Sequence, residues 1–140
     1  MIKISNSIAE TKKIASEVVK NITEENVISL DGELGSGKTH FTKGVAEFLG
    51  VKREITSPTF VLMKVYKTKN KSFEKLVHID AYRLSSANDL EALGVEEYFK
   101  DPKTLVVIEW ADKIKKLLPK KRVAIFLETI NEKQKKIKIA

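Results

Sequence analysis

At 140 residues, with 26 basic against 19 acidic side chains, a net charge of +7 and no cysteine, the chain is long enough for one domain with a real core. It is short for added lids, and it lacks the thiols of a disulfide framework or a thiolate metal site. No apolar run approaches transmembrane length and Met1 to Ser5 is strand-like rather than a signal peptide, so a soluble, cytoplasmic protein with no membrane partner is expected.

The basic charge is almost all lysine, with arginine only at Arg53, Arg83 and Arg122, and it gathers in 64–75, 113–121 and 133–138. Without an arginine-rich arm or an aromatic RNA-reading pattern this reads as a solvated surface. DNA is not expected as a partner.

In chain order, Ser7-Ile8-Ala9-Glu10 spells a capping box that opens an amphipathic helix to about Lys20, with Ile8, Ile14, Ala15, Val18 and Val19 facing the core. Val27 to Leu30 is a short buried-strand pattern. Residues 32 to 39, Gly-Glu-Leu-Gly-Ser-Gly-Lys-Thr, then fit GxxxxGK followed by Ser or Thr at every constrained position. Gly32, Gly35 and Gly37 let the backbone turn its N–H groups inward around a polyphosphate. Lys38 supplies a charge for the β and γ oxygens, and the Thr39 hydroxyl can ligate the magnesium that travels with a nucleotide. A helix from Lys38 to Leu49, apolar at Phe41, Val45, Phe48 and Leu49 and stopped by Gly50, would aim its positive end at that anion.

Phe60 to Tyr66 and Lys75 to Asp80 predict an antiparallel hairpin, and Ser86 with Asp89 predicts a short helix through Leu90 and Leu93 to a stop at Gly94. Thr104 to Glu109 is the most hydrophobic strand, a central one buried on both faces. Arg122 to Ile130 and Lys135 to Ile139 close the chain as a strand pair. The expectation is an α/β fold: a single P-loop NTPase-like domain over 1–140 whose mixed central sheet is flanked by helices.

Hydrolysis needs a carboxylate besides the loop, and acids that emerge where strands leave the sheet stand at the edge that binds ligands. Glu109 fits that Walker B role. Asp80 ends a strand with His78 on the same face, so either acid could reach the metal, while His78 reads as a packed or hydrogen-bonded imidazole. No guanine-reading NKxD or TKxD element follows, since Thr68-Lys69-Asn70-Lys71 lacks the aspartate, which favours ATP over GTP.

Four blocks in order, residues 32 to 39, Ser57-Pro58-Thr59-Phe60, His78-Ile79-Asp80-Ala81-Tyr82-Arg83-Leu84 and Ile108-Glu109-Trp110, resemble the bacterial TsaE (YjeE) family. The resemblance implies an ATPase that binds and hydrolyses ATP with magnesium, works with the TsaB and TsaD proteins, and supports threonylcarbamoyl adenosine formation in tRNA. It implies phosphate and magnesium contacts at Lys38 and Thr39, with His40 adjoining them, and acidic roles for Asp80 and Glu109. It also implies nucleotide contacts at Thr59, read as a switch-type residue or a Pro58-set turn, at Trp110, read also as a packing aromatic, and at Thr11. This chain has Gln134-Lys135-Lys136 where many relatives carry an arginine before the last strand. Two other readings of the loop stay open: a nucleotide-gated assembly factor in which hydrolysis only resets an interface, and a small-molecule kinase.

Overall fold

The computed structural model describes residues 1–55, 63–84 and 88–140. Among them, seven strands hydrogen-bond into one sheet in the order β1-β7-β6-β2-β5-β4-β3. These are β1 (Ile2–Ser5), β2 (Val27–Gly32), β3 (Met63–Lys67), β4 (Lys75–Asp80), β5 (Thr104–Glu109), β6 (Val123–Thr129) and β7 (Lys135–Ile139). The middle of the sheet, β6-β2-β5-β4, is parallel, and β1-β7-β6 and β4-β3 are antiparallel. The sheet is therefore mixed, as the sequence predicts.

Period-two alternation divides the core. Leu105 and Val107 of β5 join Ile28, Leu30 and Leu76 beneath two long helices, α1 (Ile8–Lys20) and α2 (Lys38–Phe48). Val106 and Ile108 join Val27, Val77 and Ile79 on the opposite face, under α3 (Asn88–Glu91), α4 (Val95–Lys100) and a short 3-10 turn over Ala111–Ile114. Every residue of β5 is buried, which is why its apolar run is unbroken until Glu109. The same alternation sends His78 and Glu109 to the α2 side, while in-register pairing of Asp80 with Glu109 and of Leu30 with Glu109 brings three parallel strand ends to one edge.

Local sequence explains the helix ends. Ser7 caps α1 by accepting from the Glu10 amide at 3.0 Å. The returning bond of the box lands one residue early, since the Glu10 carboxylate accepts from the Asn6 amide at 2.7 Å. α2 ends in a Schellman motif, with Gly50 N–H on the Glu47 carbonyl and Val51 N–H on that of Ala46.

One core assignment needs correction. Ile8 is exposed and lines, with Phe48, the outer groove between α1 and α2, because a single helical layer leaves the side away from the sheet to water. Beyond the hairpin, whose first expected residues 60–62 lie outside the described residues, the helix predicted to reach Gly94 ends at Glu91, and Leu93 is exposed. Gly94 instead opens α4, a helix that the sequence pattern does not announce. Ser86 lies outside the described residues. Among those described, no helix is long and apolar enough to cross a membrane.

The two long helices meet at Gly44, where an added Cβ would lie 2.6 Å from Lys12 Cα and 2.7 Å from its carbonyl oxygen. Gly44→Ala therefore sets a helix-propensity gain of about 1 kcal/mol against an overpacking cost of about 1–3 kcal/mol. Backbone at that distance cannot yield as a side chain can, so a net loss of stability in denaturant melts is expected. An unchanged or raised midpoint would show that α1 and α2 separate freely.

Candidate functional site

The site begins where β2 hands the chain to α2. Gly32 runs so close to β6 that a Cβ there would sit 2.4 Å from the Leu127 carbonyl oxygen and 2.6 Å from Ser36 Oγ. Gly35 and Gly37 take φ of 79° and 103°, values that glycine reaches without steric cost. Glu33, Leu34 and Gly35 form an exposed tip. Gly37 is the N-cap of α2 and offers no side-chain bond, and the helix has no acid in its first turn. Its leading N–H groups and positive dipole end thus face the loop uncompensated by a carboxylate from α2 itself.

Lys38 is 5 % exposed. Its Nζ donates to the carbonyls of Gly32 at 2.6 Å and Glu33 at 2.8 Å, and lies 4.0 Å from the centroid of the Trp110 ring, a cation–π contact. Burial pushes its ammonium pKa down, against the opposing pull of the Glu109, Asp80, Asp31 and Asp112 carboxylates. A cation here thus sits in a field of four acids.

Glu109 ends β5 only 2 % exposed, and a buried carboxylate needs donors. Thr39 Oγ1 donates to Oε1 at 3.1 Å. On Oε2, His78 Nε2 sits at 2.5 Å and Thr42 Oγ1 at 3.4 Å, the threonine proton being shared with the Lys38 carbonyl at 3.1 Å. Asp80, the neighbouring strand end, is half-buried and accepts from the Tyr82 amide at 3.0 Å. Trp110, next after Glu109, is the sole non-glycine residue with positive φ among those described, at 59°, a left-handed conformation that costs about 1–2 kcal/mol. Its amide bonds the Leu30 carbonyl at 2.9 Å and its ring packs on Tyr82 with centroids 4.8 Å apart. The strain turns the indole back over Lys38.

The structure thus gathers the loop, Lys38, Thr39, Asp80, Glu109 and Trp110 at one edge. His40, in the first turn of α2, has its pKa pushed down by burial and by Lys43, Lys12 and Lys135. Thr11 is buried on α1 with its hydroxyl 2.7 Å from Ser5 Oγ, a bond that ties α1 to β1. Thr59 and the rest of its block lie outside the described residues. His78 is the hydrogen-bonded imidazole that the sequence suggests.

Three further residues belong to the constellation. Thr42 stands three residues after Thr39 on the same helix face, a spacing that could have found it. Lys135 reaches from β7 to the Gly35 carbonyl at 3.0 Å, a contact between distant segments with no sequence signal. Asp31, the residue before the loop, accepts from the Asp112 amide at 2.8 Å.

A family profile described as threonylcarbamoyl adenosine biosynthesis protein TsaE matches residues 5–137. The chain belongs to the TsaE family. It is 38 % identical to the tRNA threonylcarbamoyladenosine biosynthesis protein TsaE of Bacillus subtilis over 91 % of this chain and 77 % of that one. It is 36 % identical to the protein of the same description from Treponema pallidum, over 98 % of both chains. The crystal structure of Bacillus subtilis YdiB superposes with a TM-score of 0.77 at 32 % identity, covering 99 % of this chain and 83 % of that one. The α/β architecture with a mixed sheet is therefore that of a solved relative, and the TsaE blocks at the loop, at 78 to 84 and at 108 to 110 meet at one sheet edge.

The position of Asp31 has a consequence for stability. Burial raises its carboxyl pKa, and the Asp112 carboxylate adds to this while the Asp112 amide opposes it. A raised folded-state pKa contributes stability below the unfolded value, near 3.9, that is lost as pH rises through the folded value. Asp31→Asn keeps the oxygen that accepts from Asp112 and removes the charge. Its melting temperature should exceed that of the wild type at pH 7, with the difference shrinking toward pH 4; a lower melting temperature at pH 7 would contradict the assignment.

Proposed function

We propose that the chain binds ATP with magnesium at the 32–39 loop and hydrolyses it in support of tRNA threonylcarbamoyladenosine formation, together with TsaB and TsaD, in the cytoplasm. The observation that carries this reading is the 3.1 Å bond between the Thr39 hydroxyl and Glu109. It joins the last residue of the glycine loop motif to a buried carboxylate at the end of a central strand, the two oxygen ligands from which a nucleotide-bound magnesium is usually held.

The residues present fit both groups. Gly32 lets the loop start against β6 where a Cβ would not fit, Gly35 and Gly37 take the positive φ that turns loop amides inward, and the first turn of α2 presents amides without an acid. The donors at hand for a cation are a hydroxyl and carboxylates, hard oxygens suited to magnesium. When bound, magnesium would neutralise phosphate charge and orient the reacting oxygens. The protein's own contribution is positional. Loop amides and Lys38 bind phosphate oxygens, Thr39 with Glu109 or Asp80 takes the metal, and the acid not holding the metal directly can orient a water. Trp110 and the exposed Tyr82 wall the site beside Lys38.

An open rim supports the proposed dependence on partners. Preorganised charges stabilise a transition state best where water is excluded, yet the loop tip and Tyr82 are exposed, and Arg83, the one arginine in a motif block, is exposed on the turn after β4. A docked partner that covers this rim would complete the site, and tRNA would be reached through that complex.

ATP turnover measured with and without TsaB, TsaD and tRNA tests the proposal. Turnover should rise at least tenfold with the full set. Lys38→Ala should weaken ATP binding at least tenfold, about 1.4 kcal/mol. Glu109→Gln should bind within threefold of wild type yet lose about a hundredfold in kcat, the scale of removing one transition-state contact. ADP formation that required a small-molecule acceptor and yielded its phosphorylated product in equal amount would favour the kinase reading instead.

A further inference from the structure

We propose that His78 is a positioning residue, which holds the Glu109 carboxylate in the orientation that presents Oε1 to Thr39; the inference rests on the ATPase reading of this site. The carboxylate has two unlike oxygens. Oε1 meets Thr39 Oγ1 at 3.1 Å, at the mouth of the site, while Oε2 is gripped from beneath by His78 Nε2 at 2.5 Å and touched by Thr42 at 3.4 Å. The terminal torsion of a glutamate is broad and roughly two-fold, so burial alone does not choose which oxygen points where. The imidazole does. It is planar, 0 % exposed and fixed to a central strand whose register with β5 pairs His78 with Val107 and Asp80 with Glu109. From there it reaches one same-face position along to Glu109. Thr42 cannot substitute, because its single proton is shared with the Lys38 carbonyl.

The other ring nitrogen argues that packing is not the reason for a histidine here. Among the described residues Nδ1 is buried and has no hydrogen-bond partner. A carboxylate beside the ring takes up Nε2 alone, so Nδ1 is a polar atom removed from water with nothing among these residues to bond. Leaving such an atom unpaired is unfavourable, and in a strand whose other core-facing neighbour is Leu76 an apolar side chain would avoid it. The fold tolerates the orphan at one end of the ring and gains a fixed donor for Glu109 at the other. Supporting donors that orient a metal-binding or reacting carboxylate often matter nearly as much as the carboxylate itself.

The test compares His78→Gln, His78→Asn and His78→Leu with wild type, each assayed for ATP binding and turnover in the presence of TsaB, TsaD and tRNA. The glutamine amide nitrogen reaches about where Nε2 stands, whereas that of asparagine stops near Nδ1. His78→Leu and His78→Asn should lose at least tenfold in kcat with KM within threefold, and His78→Gln should recover to within threefold of wild type. A packing role would not separate asparagine from glutamine in this way. Equal activity of the two amide variants, or wild-type kcat in His78→Leu, would overturn the proposal; if His78→Leu does not fold, the amide pair alone decides. A wild type without ATP turnover would overturn the ATPase reading and this inference with it, an outcome distinct from an active wild type with indifferent variants.

Discussion

A carboxylate that is almost wholly buried at the end of a hydrophobic strand is the constraint around which this molecule is arranged. Glu109 cannot keep its charge there without donors, and no donor is available within β5, whose side chains on that face are Leu105 and Val107. The donors come instead from two other elements. Thr39 and Thr42 come down from α2 and His78 reaches across from β4. That requirement fixes the height of the α2 N-terminus over the sheet and the β4–β5 register, in which Asp80 and Glu109 end together. The glycine loop makes the short connection from β2 to the helix so placed, with Gly32 close against β6.

Lys38 balances the same arrangement with opposite sign. An ammonium so little exposed would be costly alone, yet it has two loop carbonyls at hydrogen-bond distance, an indole face at 4.0 Å and four carboxylates in its field. The left-handed backbone at Trp110 belongs to this balance. Had the chain continued in extended conformation past Glu109, the ring would leave with the strand. The turn at φ 59° returns it to Lys38 and Tyr82. Backbone strain at a residue between a buried acid and a loop cation is the kind that persists only where surrounding contacts over-determine it.

Legibility in the sequence followed the range of the interaction. The loop was readable because its geometry is local: the glycines and the Lys-Thr pair are neighbours, and their spacing is the mechanism. β5 was readable because burial on both faces leaves an unbroken apolar run. α4 was not, since its six residues carry no complete apolar stripe and are held from afar. The Asn26 side-chain amide lies 3.0–3.2 Å from the carbonyls of Tyr98, Phe99, Asp101 and Thr104, more than seventy residues on. Ile8 reads as core because periodicity gives a stripe and not its width. Thr42 was within reach of a spacing argument, whereas the Lys135 contact with Gly35 exists only because β7 folds back beside β6.

The site divides into a fixed floor and an exposed rim, and the division bears on how it works. Glu109, His78 and Thr42 are buried in mutual contact, so their geometry is set by the fold itself, whereas the Lys38 ammonium, held by the Gly32 and Glu33 carbonyls and the Ser36 hydroxyl, would exchange one of these for a bound anion. Glu33, Leu34, Gly35 and Tyr82 stand in solvent. Leu34, 78 % exposed at the loop tip, gains nothing from that position in the isolated chain, because an apolar side chain in water there packs against no core. A surface that covers the tip would bury it and exclude water from the floor in one step. The same contact would then both bind a partner and strengthen every charge interaction beneath it, which would couple docking to the proposed hydrolysis.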